Sequence, residues 1–292
     1  MRIKNALIVV NKVKEDASRV ASEIEEYLRT SGISVDTHRY AERPGAFTVS
    51  DYDVAFSVGG DGTVLYCSRL LGAHSHSGGP SARPSIPIFA VNVGDFGFIT
   101  EVSKDEWRQA FEKFVDGKLG ISERIMVEAT LYRDGEVSEI RCGLNDAVVA
   151  SAGTSKVVRL SVDIGRTTLG RYRADGIIVA TPTGSTAYSV AAGGPILEPE
   201  MDALILNPIC PFTLSNRPLV LPGDSPIYIT IEPKQRTDVV LTVDGQETVP
   251  LVEGDRLEIK RADSRVRIVR SDRRNFYEVL RSKLNWSGGP GA

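Results

Sequence analysis

The sequence is poor in cysteine, histidine and tryptophan, and each scarcity removes a class of chemistry. The three cysteines (Cys67, Cys142, Cys210) are odd in number and far apart, with no Cys-x-x-Cys pair. They read as small apolar fillers of a reducing compartment rather than as a disulfide framework or a zinc site. The three histidines (His38, His74, His76) stand away from any Ser/Asp pair that could complete a nucleophilic triad. His74 and His76 fall in a Gly/Ser/Pro loop that reads as solvated rather than metal-binding. Trp107 and Trp286 lack aromatic neighbours at the spacing of a base-stacking platform. A formal net charge of −3 gives no basic footprint for nucleic acid. No apolar run approaches the roughly 20 residues that span a bilayer, and no membrane partner is expected. The short run after Met1 reads as a first strand, not a signal peptide. A soluble, cytoplasmic protein is the expectation.

What is present suits two domains of ordinary size: 292 residues, 41% hydrophobic and 25% charged. The one local departure is residues 256–283, with ten Lys/Arg against four Asp/Glu. That excess reads as a solvated, salt-bridged face.

A continuous apolar run at 6–10 is the mark of a strand buried on both faces, 53–58 reads as the next buried strand and 88–92 as another. Between them, Val20, Ile24 and Leu28 recur every four residues on a helix running to Arg29, with Asp16 or Ser18 as its cap. A second helix is expected over 64–71 and a third over 103–115, with Trp107, Ala110, Phe111 and Phe114 on one side. Residues 72–86 read as a mobile loop. This alternation predicts an α/β domain with a parallel, Rossmann-like sheet over residues 1–120. After Gly120 the pattern turns to alternation and hairpins: 126–132 with 136–142, 157–163 with 167–173, and 257–260 with 266–270 across 261–265. Asp244-Gly245 marks another tight turn. An all-β sandwich is expected over 121–270. Over 271–292, a short amphipathic helix is expected to return to the first domain, followed by a disordered tail from Ser287.

Two stretches carry the chemistry. Gly59-Gly60-Asp61-Gly62-Thr63 joins a buried strand to a helix, the place where open parallel sheets bind ligands. Its glycines allow positive φ and remove side chains that would block phosphate oxygens, while the helix start favours an anion. It is neither a Walker A loop nor a Gly-x-Gly-x-x-Gly fingerprint. Asp61 beside such a cradle is repelled by phosphate unless it binds a metal or takes a proton; the alternative is a turn residue bonding its own backbone. The second stretch, residues 171–197, runs from a buried strand into a loop of Thr, Ser, Gly and Pro that lets a polar ligand approach the main chain, or is simply a surface loop of turn formers.

Taken together, Gly59-Gly60-Asp61-Gly62-Thr63, Leu144-Asn145-Asp146, Asp175-Gly176 and the run Thr181-Pro182-Thr183-Gly184-Ser185-Thr186-Ala187-Tyr188-Ser189 with Gly193-Gly194-Pro195 resemble the NAD kinase family over about residues 3–285. The glycine motif alone is shared with diacylglycerol and sphingosine kinases; the threonine-rich loop is more specific. The resemblance implies a kinase that takes ATP and NAD as substrates with Mg²⁺ or another divalent cation. It gives Asp61 as general base near the adenosine-ribose 2′-hydroxyl, Asn145 at the adenine and Asp146 where the family usually has Glu. Asp175 is implied at the nicotinamide end with Arg173 nearby. Thr183, Thr186, Ala187 and Tyr188 are implied around the adenosine and phosphates, with Gln246 also at the dinucleotide site. Gly59, Gly60, Gly62 and Thr63 form the cradle, and no protein metal ligand is assigned. The run from Asn92 to Phe98 matches a further family segment, with Phe96 where the family has Leu. So do residues 207–215. The resemblance also implies a homodimer or homotetramer and leaves inorganic polyphosphate open as a donor. The other readings are a lipid kinase of the same superfamily and a non-catalytic dinucleotide sensor.

Overall fold

The computed structural model describes residues 2–13, 15–41, 51–72, 85–94, 97–153, 156–212 and 217–285. His74, His76, Asp95, Phe96, Trp286 and the expected tail from Ser287 lie outside them, as does most of the 72–86 loop. The chain forms two compact units, Met1–Glu123 with Val266–Ala292, and Arg124–Arg265. The first is α/β and the second is β-rich.

The first unit opens with β1 (Asn5–Asn11), α1 (Glu15–Thr30), β2 (Ser34–Tyr40) and β3 (Val54–Gly59). It continues with α2 (Asp61–Gly72), β4 (Ile88–Asn92), β5 (Val102–Ser103) and α3 (Trp107–Val115). β1 pairs in parallel with both β2 and β3, and β3 pairs in parallel with β4, which pairs in parallel with β5. The expected strand runs are therefore neighbours, and their two-sided burial explains their mostly apolar character, with Ser57 and Asn92 the polar members: every residue of β3 and β4 is buried. One face meets Val20, Ile24 and Leu28 of α1 and Trp107, Ala110, Phe111 and Phe114 of α3. Phe56, Phe89 and Phe111 form its aromatic centre, with ring centroids 5.1–5.8 Å apart.

Three helix boundaries differ from expectation. α1 begins at Glu15, so Asp16 lies inside it, paired with Arg19 at 3.2 Å. α2 begins at Asp61 rather than 64, taking the last three residues of the glycine motif into its first turn. α3 begins at Trp107 rather than 103, because Glu106 folds back to accept the N–H of Ser103 at 2.9 Å and pairs with Arg273 and Arg274. Those arginines precede the last helix, whose N-cap Asn275 and Glu278 form a capping box.

The second unit takes up β6 (Ile121–Arg133), β7 (Glu136–Gly143), β8 (Asp146–Ser151), β9 (Val158–Ile164), β10 (Thr167–Ala174) and β11 (Gly176–Ala180). After a 3₁₀ turn (Gly184–Thr186) and α4 (Tyr188–Ala191) come β12 (Ala203–Ile209), β13 (Leu219–Pro222) and β14 (Ile227–Ile231). β15 (Val239–Val243), β16 (Glu247–Leu251), β17 (Arg256–Val269) and α5 (Phe276–Lys283) complete the chain. One sheet runs β13-β12-β11-β8-β15-β16, with antiparallel neighbours throughout. A second joins β10, β9, β14 and β17, and residues of both meet in one core.

The hairpin expected across 261–265 does not exist; β17 is one strand of 14 residues. Ala262 is buried, between the buried pair Leu257 and Ile259 before it and Val266 and Ile268 after it, and the supposed turn has neither Gly nor Pro to reverse the chain. Arg261 and Arg265 both pair with Asp202, holding the stretch extended. Ile268 then lies beside Ile88 of β4 in parallel. Of the cysteines, Cys67 is buried and burial pushes its thiol up to about 12. Cys210 is exposed and is not a filler. Among the described residues, no helix is long and apolar enough to cross a membrane.

Candidate functional site

In the first unit, β3 delivers Gly59 beside Asn92 of β4, and the Val93 N–H donates to Gly59 O at 3.1 Å. The chain turns at Gly60, whose carbonyl accepts the Thr63 N–H at 2.9 Å and opens α2. Gly59, Gly60 and Gly62 all keep negative or extended φ, so the motif does not use glycine's left-handed freedom. What it uses is space. A Cβ at Gly59 would overlap the Thr63 hydroxyl, whereas one at Gly60 would meet nothing within 4 Å. Thr63 is buried, and its Oγ1 accepts from Tyr40 Oη at 3.2 Å. Tyr40 stacks on Tyr66, which is hydrogen-bonded to His38 at 2.8 Å. Burial pushes the His38 pKa down. This aromatic column underlies the cradle and contains no triad.

Asp61 is half-buried, and its carboxylate accepts four hydrogen bonds. They come from the N–H groups of Phe98 (2.8 Å), Ile99 (3.2 Å) and Thr100 (3.1 Å) and from the Thr100 hydroxyl (3.0 Å). The turn-residue alternative, a bond to its own backbone, is not what the structure shows. Asp61 ties the helix start to the segment after β4. Gly97 and Thr100 belong to this arrangement and were not singled out in the sequence, where only the Asn92–Phe98 pattern hinted at them.

In the second unit the threonine-rich loop is stitched onto the segment before β8. Thr181 N–H donates to Asn145 O at 2.8 Å, and its hydroxyl donates to Leu144 O at 2.5 Å while accepting the Gly184 N–H at 3.1 Å. A Cβ at Gly184 would overlap the Asn145 backbone. Asn145, Asp146 and Thr183 are thereby brought together. Thr183 is buried, Thr186 and Ala187 are half-buried, and Tyr188 is exposed at the start of α4. Two buried oxygens here, Asn145 Oδ1 and Thr183 Oγ1, find no hydrogen-bond partner among the described residues. Orphaned buried polar atoms are costly in a folded chain, and a pair of them on two segments that are hydrogen-bonded to each other marks a place for a polar ligand.

Asp244 organises the other side of this segment. Its carboxylate accepts the N–H groups of Leu144 (3.0 Å), Asn145 (2.7 Å) and Asp146 (3.3 Å) from a left-handed backbone with φ of 51°. The sequence marked Asp244 as a turn former and as part of the family segment Asp244-Gly245-Gln246; nothing local signals a carboxylate that clamps a segment a hundred residues earlier. Asp146 is buried nearby, and burial, with the Asp244 charge second, pushes its pKa up to about 7.

Asp175 directly precedes β11 and Thr181 directly follows it, with the five residues of that strand between them, about 20 Å apart, and Arg173 lies two residues before Asp175 on β10. The structure thus does not gather them with Asn145 and Thr183. Arg173 stacks on Phe212 at 5.2 Å and lines a cavity of about 460 Å³ with Lys156, Arg159 and Arg236. Gln246 is exposed in the turn between β15 and β16. Among the described residues, no group of three or more His, Cys, Asp and Glu side chains is placed to hold a metal.

Comparison with known proteins accords with these features. Residues 45–119 match the ATP-NAD kinase N-terminal domain and residues 144–271 the ATP-NAD kinase C-terminal domain. The chain is 40% identical over 287 residues to an NAD kinase of Treponema denticola, covering 98% of each. It is 38% identical to one of Desulforamulus reducens, over 97% of this chain and 98% of that one. Among solved structures, an NAD kinase from Archaeoglobus fulgidus in complex with ATP aligns with a TM-score of 0.72 at 25% identity, covering 96% of this chain and 98% of that chain. Yeast NADH kinase complexed with NADH shares the fold at a TM-score of 0.85 and 23% identity, over 99% and 90% of the two chains. The chain belongs to the NAD kinase family.

Proposed function

We propose that this chain transfers the γ-phosphoryl group of ATP to the adenosine-ribose 2′-hydroxyl of NAD, giving NADP and ADP. The observation that carries the reading is the pair of orphaned buried oxygens, Asn145 Oδ1 before β8 and Thr183 Oγ1 after β11, on two segments joined by the Thr181 hydrogen bonds. Asn145 Oδ1 is an acceptor suited to an exocyclic amine such as that of adenine, and the Thr183 hydroxyl serves either way. Phosphoryl transfer asks chiefly for positioning and charge stabilisation. Gly60, with open space over its Cα, lets phosphate oxygens approach the start of α2, where N–H groups and the helix dipole favour an anion. Gly59, Gly62 and Thr63 shape that approach. Asp61 accepts the 2′-hydroxyl proton as the new O–P bond forms and the bond to the ADP oxygen breaks, then releases it to solvent. Mg²⁺ enters with the phosphates of ATP, as part of that substrate, and neutralises their charge.

In the same reading Asp146, Thr186, Ala187 and Tyr188 surround the adenosine and its phosphates, and Arg173, Asp175 and Gln246 serve the nicotinamide half. The first unit is taken as a Rossmann-like parallel domain and the second as a β-sandwich. A cytoplasmic homodimer or homotetramer rests on the family resemblance. Incubation with NAD, ATP and Mg²⁺, followed by detection of NADP with an NADP-specific dehydrogenase, tests the proposal. Formation of NADP supports it; a rise in melting temperature with NAD and no NADP would indicate a sensor instead.

A further inference from the structure

The hydrogen bonds around Asp61 can be followed proton by proton. Among the described residues, Oδ1 takes three donors, the N–H groups of Ile99 and Thr100 and the Thr100 hydroxyl, while Oδ2 takes only the Phe98 N–H. Each carboxylate oxygen has about two lone-pair directions. Oδ1 is therefore saturated, and Oδ2 keeps one acceptor position open.

The Thr100 hydroxyl has one proton and two lone pairs. Asn92 Nδ2 lies 3.0 Å from it and the Gly97 N–H 3.2 Å, and both can only donate. The hydroxyl proton is left with one acceptor, Asp61 Oδ1. Asn92 is itself oriented, because its Oδ1 accepts the Gly94 N–H at 2.8 Å. Asn92 and Thr100 are 2% and 1% exposed, so water does not compete for these bonds.

We propose that Thr100, held by Asn92, is a positioning residue for phosphoryl transfer: it pins Oδ1 of Asp61 so that Oδ2 is the atom that receives the acceptor hydroxyl's proton. The inference rests on the reading of Asp61 as the base. Without the hydroxyl, the three backbone N–H groups still hold the charge, but Asn92 Nδ2 and the Gly97 N–H lose their acceptor and the carboxylate is less firmly oriented. The loss falls on turnover rather than on binding.

The test compares Thr100→Val, which keeps the shape and removes the hydroxyl, with Thr100→Ser, which keeps the hydroxyl, in steady-state NADP formation. Thr100→Val is expected to lower kcat by about 10- to 100-fold with the KM for NAD within about threefold, and Thr100→Ser to stay within about threefold of wild type in kcat. The double variant with Asp61→Asn is expected to be no slower than Asp61→Asn alone, because Thr100 acts through that carboxylate. A Thr100→Val enzyme within about twofold of wild-type kcat, equal losses in Val and Ser, or losses that multiply in the double variant would each overturn the proposal. If Thr100→Val does not fold, Thr100→Ala takes its place under the same criteria. Asp61→Asn alone separates the two levels: wild-type turnover there removes the base and the positioning role together. A slow Asp61→Asn beside a fast Thr100→Val removes only the latter.

Discussion

Gly97 sits against the carboxylate of Asp61 so closely that a Cβ at position 97 would overlap it. The end of a side chain usually swings away from such an intrusion, but this one is tethered by the N–H groups of Phe98, Ile99 and Thr100. Gly97→Ala must therefore displace either the carboxylate or the segment that binds it. The expected result is a loss of about 1–3 kcal/mol of stability together with a fall in kcat of about 10-fold or more. Thermal unfolding and NADP formation measured on the same preparation check it, and an alanine variant with wild-type values for both would contradict the contact.

Gly60 gives the opposite case. A Cβ there meets nothing within 4 Å and its φ is ordinary, so Gly60→Ala should leave the melting temperature within about 2 °C of wild type. If phosphate oxygens approach this position, the same methyl group obstructs them and the KM for ATP rises by about 10-fold or more. An unchanged KM for ATP would place the phosphates elsewhere.

These two glycines show where sequence reasoning reaches and where it stops. The glycine motif was legible at the end of a buried strand because a mostly apolar run bounded by glycines has few alternatives to a sheet interior. The helical face of Val20, Ile24 and Leu28 was legible from its spacing. The use made of each glycine was not, since steric need depends on neighbours such as Asp61 and Thr63 in three dimensions. The start of α3 was misjudged because Glu106 answers to Arg273 and Arg274 from the far end of the chain. The false turn in β17 arose because Arg261-Ala262-Asp263-Ser264-Arg265 is polar enough for a loop, whereas the pairing of β17 with β6, the Asp202 ion pairs and the burial of Ala262 go with an extended strand. In the candidate site, Asn145, Thr183 and Asp61 were legible through family resemblance. The contacts that Asp244 and Thr100 make to Asn145 and Asp61 span long sequence separations and left no local mark.

Asn145 separates binding from folding. Its buried Oδ1 has no partner among the described residues, so Asn145→Ala removes no hydrogen bond of that atom to them. The variant is expected to unfold within about 1 kcal/mol of wild type while its KM for NAD rises by about 10-fold or more. A large loss of stability with unchanged KM would show that the amide serves the fold.

Asp146 makes stability depend on pH. Burial, with the Asp244 charge second, raises its pKa from 3.8 to about 7, so between those values the folded state holds a proton that the unfolded state has released. Its contribution to stability is therefore fully present below about pH 4, falls as pH rises and levels off above about pH 7. Asp146→Asn removes that dependence. The difference in melting temperature between Asp146→Asn and wild type should grow in favour of the variant from pH 5 to pH 8. An offset that does not change with pH would contradict the raised pKa.

The most direct measurement is NADP production by wild type and Asp61→Asn, with NAD-induced thermal stabilisation recorded for both. Wild type is expected to form NADP from NAD, ATP and Mg²⁺. Asp61→Asn is expected to be slower by about 10²-fold or more while NAD still raises its melting temperature. Absence of NADP from the wild-type protein, or an Asp61→Asn variant that turns over near the wild-type rate, would contradict the account.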